Sequence, residues 1–216
     1  MRRDAGALRR TFASYEGAPR ITRALVAARL AIAPLRPLER ETRSLHGRML
    51  SLGSGISAIE RYLVECNPVL EIEGIDLDPR RVELISSTRQ RCPRVTLRQG
   101  DATKIDEPPV YAGVLVCDAM HHFDPEYHKP LVRAIANCLV PGGVCIVKDL
   151  DVRPRWKYEW NRLHDRVVAG PEPIHCQPAE CMADLLAGAG LIPERVERTD
   201  RRWEPYAHYL VRARKP

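Results

Sequence analysis

Aromatic side chains make up 6% of this 216-residue chain, and phenylalanine occurs only twice. So thin a supply gives little support to a surface that stacks nucleic-acid bases. No run of about 18 uninterrupted apolar residues occurs, so no membrane span is expected. The most apolar leader segment, ALVAARLAIA at 24–33, is broken by Arg29, so no signal-peptide core is expected. Seven cysteines are present, an odd number, and none forms a Cys-x-x-C pair. A disulfide framework and a structural zinc site are thereby disfavoured. Free thiols in a reducing, cytoplasmic setting are the expectation. No constellation of metal ligands is read, so no metal is expected.

What is present is an adequate core and an uneven charge. Apolar residues account for 44% of the chain, enough for one sizeable domain. The net charge of +6 sits at the front: residues 1–48 hold eleven arginines and four acids, and the remainder is close to neutral. A basic leader can attract a polyanion or an acidic carrier protein, or can be a solvated helical cap. Its Ile21, Leu25 and Ile32 give a partial apolar face, and APLRPLE is read as a joint between helices.

From residue 48 onward, apolar runs alternate with helical patterns. RMLSLG, VLEIEGID, RVTLRQGD, YAGVLVCDA and VCIVKDL read as strands. ISAIERYLVEC, DPRRVELISSTRQR and PEYHKPLVRAIANCLV read as helices, the last stopped by PGG at 141–143. This order predicts an α/β, Rossmann-like, doubly wound sheet. The helix AECMADLLAGAGL and the strands IPERVERT and PYAHYLVRARK complete the chain. The expected organisation is a helical cap over 1–46 and a main domain over 47–216, with 151–177 inserted as a substrate lid.

In such sheets ligands gather at the carboxyl ends of the strands. The first strand delivers Gly53 and Gly55, the second Asp76, the third Asp101. The fourth delivers Cys117, Asp118, Met120, His121 and His122, and the fifth Lys148 and Asp149. GSGISA satisfies the dinucleotide pattern G-x-G-x-x-G/A, and Asp76 lies 21 positions after Gly55, placed for ribose hydroxyls. A nicotinamide reading shares those residues. No Tyr-x-x-x-Lys pair supplies a reductase's proton donor, and GDA and HHF have no role in it.

Taken together, MLSLGSGIS, GIDLDP, RQGDA, CDAMHHFDPE, LVPGG and VKDL resemble, in order and spacing, the motifs of class I S-adenosylmethionine-dependent methyltransferases of the small-molecule type. The resemblance covers about residues 48–150, with a family-like ending at 178–216. It implies a seven-stranded sheet whose last strand is antiparallel. It implies that Gly53 and Gly55, with Ser51 and Ser54, line the methionine moiety. Asp76 would bind ribose, Leu77 would pack on adenine, and Asp101 and Ala102 would read the adenine ring. Cys117 and Ala119 would lie beside the sulfonium. Ser51 departs from the family's usual acid, which commonly helps to hold the cofactor's ammonium. Ser57 stands where a third glycine is frequent.

Methyl transfer to an O–H or N–H also requires removal of a proton, which suits a histidine. HHFDPE resembles the HDWSDE segment of plant-type O-methyltransferases, which points to His121 as base. His122 is the neighbouring alternative, Asp149 is a possible assistant, and the His-His pair also suits a purely structural loop. Trp156, Tyr158, Trp160 and His164, with Asp165, offer an aromatic wall for a substrate, or else a lid helix packed on the core. The expected function is methyl transfer to a small or medium organic molecule, on oxygen, nitrogen or carbon. The alternatives are an RNA or carrier-bound acceptor, and a non-catalytic cofactor-binding module. No Asn/Asp-Pro-Pro-Tyr segment follows the fourth strand and no Pro-Cys pair occurs, which argues against a nucleic-acid substrate.

Overall fold

Asp4 caps the first helix, α1 (Ala5–Ala13), by accepting the Ala7 N–H at 2.8 Å, in a computed structural model that describes residues 4–168, 173–200 and 202–216. Two further helices follow, α2 (Arg20–Ile32) and α3 (Leu35–Thr42). The segment expected to be a joint is thus largely helical. Pro37 falls in the first turn of α3, where a backbone N–H has no partner within the helix, while Leu35 and Leu38 are buried. Then come β1 (Gly47–Leu52), α4 (Ala58–Cys66), β2 (Leu70–Asp76), α5 (Pro79–Ser87) and β3 (Val95–Gln99). The helix α5 starts at the Asp78 cap with Pro79 just inside it. β1 pairs in parallel with β2, and β2 with β3, so that Met49, Ile72 and Val95 lie in one register row inside the core.

These elements form one compact unit, Met1–Ala102. Arg61 of α4 ties the leader helices into it. This arginine is fully buried, and its guanidinium lies 4.5 Å from the centre of the Tyr15 ring. Nη1 donates to the Ser14 carbonyl at 2.9 Å, and Nη2 donates to Thr88 Oγ1 at 2.6 Å.

The second unit, Thr103–Pro216, holds β4 (Tyr111–Cys117), α6 (Pro125–Cys138), β5 (Leu139–Leu150), α7 (Arg155–Val168), α8 (Ala179–Gly188), β6 (Ile192–Arg198) and β7 (His208–Arg214). Val114, Leu115 and Val116 of β4 and Cys145 and Ile146 of β5 are all buried, as parallel strands covered on both faces require. The PGG segment does more than stop α6. Backbone bridging begins at Leu139 and runs through it, with a register shift opposite residues 111–113. Gly143 is obligatory there, because a Cβ would lie 2.8 Å from the Val140 carbonyl oxygen. β7 runs antiparallel to both β5 and β6. The exposed strand β6 carries Glu194, Arg195, Glu197 and Arg198.

In sheet order the strands read β3-β2-β1-β4-β5-β7-β6, a seven-stranded mixed sheet with flanking helices. Among the described residues no helix is long and apolar enough to cross a membrane.

Candidate active site

Between β1 and α4 the chain makes a tight turn through three residues with positive φ: Gly53 (67°), Gly55 (58°) and Ser57 (53°). Ser57 thus adopts a backbone that glycine takes at no steric cost, which explains why glycine suits this position. The N–H groups of Gly53 and Ser54 donate to the Ile75 carbonyl at 2.9 and 3.2 Å and pin the turn over β2. Ser54 lies so close to Gly74 that a Cβ there would come within 2.2 Å of Ser54 Oγ. Tyr15 of the leader donates to the Ile56 carbonyl at 2.5 Å. The hydroxyl oxygens of Ser54 and Ser57 are buried and have no hydrogen-bond partner. Buried polar atoms are normally satisfied, so two orphans in one turn point to a polar ligand.

Asp76 ends β2 and is nearly buried. Its Oδ2 accepts the Gly55 N–H at 2.7 Å, Oδ1 accepts the Asp78 N–H at 3.0 Å, and Arg81 Nη1 donates to both at 3.1–3.2 Å. The neighbouring Leu77 is exposed, as a side chain kept for an adenine face would be. Asp101 and the buried Ala102 lead into a 3-10 turn, Ala102–Lys104. Beside Ser51 lies a carboxylate that the sequence reading did not single out. Ser51 Oγ donates to Glu60 Oε1 at 2.6 Å, and both residues are buried. Burial pushes the Glu60 carboxyl above the ordinary glutamate range, against the Ser51 hydrogen bond.

In the second unit, Cys117 and Ala119 are buried at the end of β4 and flank Asp118, which takes a positive φ of 51°. The Asp118 carboxylate pairs with the fully buried Lys148. A 3-10 turn, Met120–His122, follows. It buries His121 and leaves His122 exposed, the two rings 4.2 Å apart. His121 Nδ1 is in close contact with Asp149 Oδ1. The His121 backbone N–H donates to Asp149 Oδ2 at 3.1 Å, and its carbonyl accepts the His175 N–H at 2.7 Å. Asp149 therefore grips both the backbone and the ring of His121. A carboxylate accepts only, so Nδ1 carries the proton and Nε2 is the basic nitrogen. His121 and Asp149 line a narrow pocket with Leu150, Gln177 and Tyr209.

The proposed wall on α7 has two faces. Trp156 and Trp160 are exposed, and Tyr158 lies under the Arg162 guanidinium, 5.8 Å from its ring centre. His164 meets Tyr206 edge-on at 5.3 Å. The buried face carries Lys157, paired with Asp200, and Asn161, whose amide atoms have no partner. The Asp165 side chain and residues 169–172 of the segment expected as a lid lie outside the described residues. Among the described residues no group of three or more His, Cys, Asp or Glu is arranged for a metal.

The chain is similar to several known proteins. Residues 49–143 match a family model described as "Methyltransferase domain". Erythromycin 3''-O-methyltransferase of Saccharopolyspora erythraea is 25% identical over 176 residues, which are 76% of this chain and 57% of that protein. The chain thus spans a little over half the length of that relative. Among solved structures, the S-adenosylmethionine-dependent methyltransferase SibL in its apo form superimposes with a TM-score of 0.72 at 20% identity, over 95% of this chain and 62% of that one. Haemonchus contortus phosphoethanolamine N-methyltransferase 2, in complex with S-adenosyl-L-methionine, gives a TM-score of 0.64 at 17% identity, over 85% of this chain and 52% of that one. Residues 49–143 thus match a methyltransferase domain, and the strand order belongs to a fold shared with solved methyltransferase structures.

Proposed function

We propose that this protein methylates an O–H or N–H group of a small or medium organic molecule, with His121 as general base. The buried His121–Asp149 pair carries this reading. Asp149 fixes the ring tautomer and stabilises the imidazolium that forms when Nε2 takes a proton. A positioned base of this kind contributes about 10²–10⁴-fold. A similar acceptor type is named in the erythromycin relative, an O-methyltransferase.

The glycine turn fits the cofactor's polar amino-acid end. Ser54 and Ser57 offer orphaned buried hydroxyls, and a Cβ at Gly55 would meet nothing within 4 Å. Gly53, Gly55, Ser51 and Ser54 would hold that end, Asp76 the ribose, and Leu77, Asp101 and Ala102 the adenine. From the second unit, Cys117 and Ala119 are assigned to the sulfonium. When bound, S-adenosylmethionine supplies an electrophilic methyl group on that sulfonium. Trp156, Tyr158, Trp160 and His164 are assigned to the acceptor.

The test is a panel of phenols, sugar hydroxyls and amines incubated with S-adenosylmethionine, read by mass spectrometry for a one-methyl gain. With the acceptor in hand, His121→Ala lowers kcat by about 10²-fold or more, and Asp149→Asn by a comparable factor. A loss below about 10-fold for His121→Ala removes the base assignment.

A further inference from the structure

Glu60 reads in the sequence as half of a capping box, because Ser57-x-x-Glu60 precedes the apolar run of α4. The structure does not close that box. Ser57 sits in the left-handed region and makes no side-chain cap, and its hydroxyl has no partner. Glu60 turns instead to the end of β1, where it accepts from Ser51. The residue is 2% exposed. A carboxylate taken out of water normally has a cation or several donors; Glu60 accepts one side-chain hydrogen bond, from an uncharged hydroxyl, and one from its own backbone N–H. The charged groups that act on it from neighbouring elements are Arg29 of α2, favourably, and Asp76 of β2, unfavourably.

The cofactor's amino-acid end is a zwitterion. Its carboxylate asks for donors, which the turn's backbone and the Ser54 and Ser57 hydroxyls can provide. Its ammonium asks for an acceptor, preferably charged. We propose that Glu60, oriented by Ser51, receives the ammonium of S-adenosylmethionine, supplying from the first turn of α4 the carboxylate that β1 lacks. The inference rests on the turn holding the cofactor's methionine end. At a pH below the raised value of free Glu60, binding then draws the carboxyl into its ionised form and a proton is released to solvent.

Calorimetry of purified protein with two ligands tests this: S-adenosylhomocysteine, and its deaminated analogue, which keeps the carboxylate and lacks the ammonium. Wild type should bind the deaminated analogue about 10- to 100-fold more weakly. In Glu60→Gln the two ligands should differ by less than about 3-fold, and proton release, read by repeating the titration in buffers of different ionisation enthalpy, should vanish. Equal affinity of wild type for both ligands overturns the proposal and leaves the cofactor reading standing. No binding of S-adenosylhomocysteine by wild type overturns both. A Glu60→Gln protein that weakens both ligands equally shows a structural role only and also overturns it. Should that variant fail to fold, the wild-type ligand pair and its proton release decide alone.

Discussion

Asp76 already accepts four hydrogen bonds, from Gly55, Asp78 and two from Arg81. That exhausts the roughly four lone-pair sites of a carboxylate. Ribose hydroxyls can enter only by displacing a donor, and the half-exposed Arg81 is the one on a flexible stem. Arg81→Ala should therefore bind S-adenosylhomocysteine as well as wild type or a few-fold more tightly. Asp76→Ala should lose at least about 10-fold, both read by calorimetry. A loss on Arg81→Ala as large as that on Asp76→Ala would place the guanidinium in the binding machinery instead. That Asp76 ends β2 and that Gly53 and Gly55 form the turn after β1 was legible from spacing alone, because strand ends and positive-φ turns have residue signatures. Glu60 was not, because a helix N-terminus offers a local partner for a glutamate at that position, and only the fold shows that Ser51 wins it.

At the scale of elements, the leader helices belong to the same packed body as β1–β3. Arg61 is the reason: its guanidinium satisfies a carbonyl near the end of α1 and a hydroxyl just beyond α5 while stacking on Tyr15. Arg61→Ala removes those bonds and the packing of a long stem, an expected cost of about 2–4 kcal/mol. For a chain of this size that lowers Tm by very roughly 5–15 °C. A change below about 2 °C in a thermal melt would show that the helices do not depend on it. The alternation of strands and helices was readable because buried parallel strands are continuous apolar runs. Two features escaped. Pro34 and Pro37 hid α3, since proline marks a break as readily as a helix start. On α7 the tryptophans share a face as their spacing requires, but that face is the exposed one. Which side of a helix turns inward is decided by its partners, here the Lys157–Asp200 pair.

Across the whole molecule, the buried Glu60 sets a pH dependence. Its carboxyl titrates higher in the folded chain than in the unfolded one, so between those two values the native state holds a proton that the unfolded chain has lost. Stability from this group is full below the ordinary glutamate pKa and is lost as pH rises through the elevated one. Glu60→Gln should flatten that decline, so the unliganded variant melts higher than wild type at neutral pH. A lower melting temperature for the variant across the whole range contradicts this. The basic leader makes a second, global prediction. An acceptor that is a small neutral molecule should show less than about 3-fold change in KM between 50 and 200 mM salt, whereas a polyanion would lose about 10³–10⁵ in affinity.

The outermost strand, β6, has a consequence for handling the protein at high concentration. An open sheet edge is a template for further strands, yet Glu194, Arg195, Glu197 and Arg198 line this one with both signs of charge. A second strand laid on this edge would strip water from those charges. The edge thus resists open-ended strand addition, and converting these positions to valine would turn the same backbone into a nucleus for aggregation.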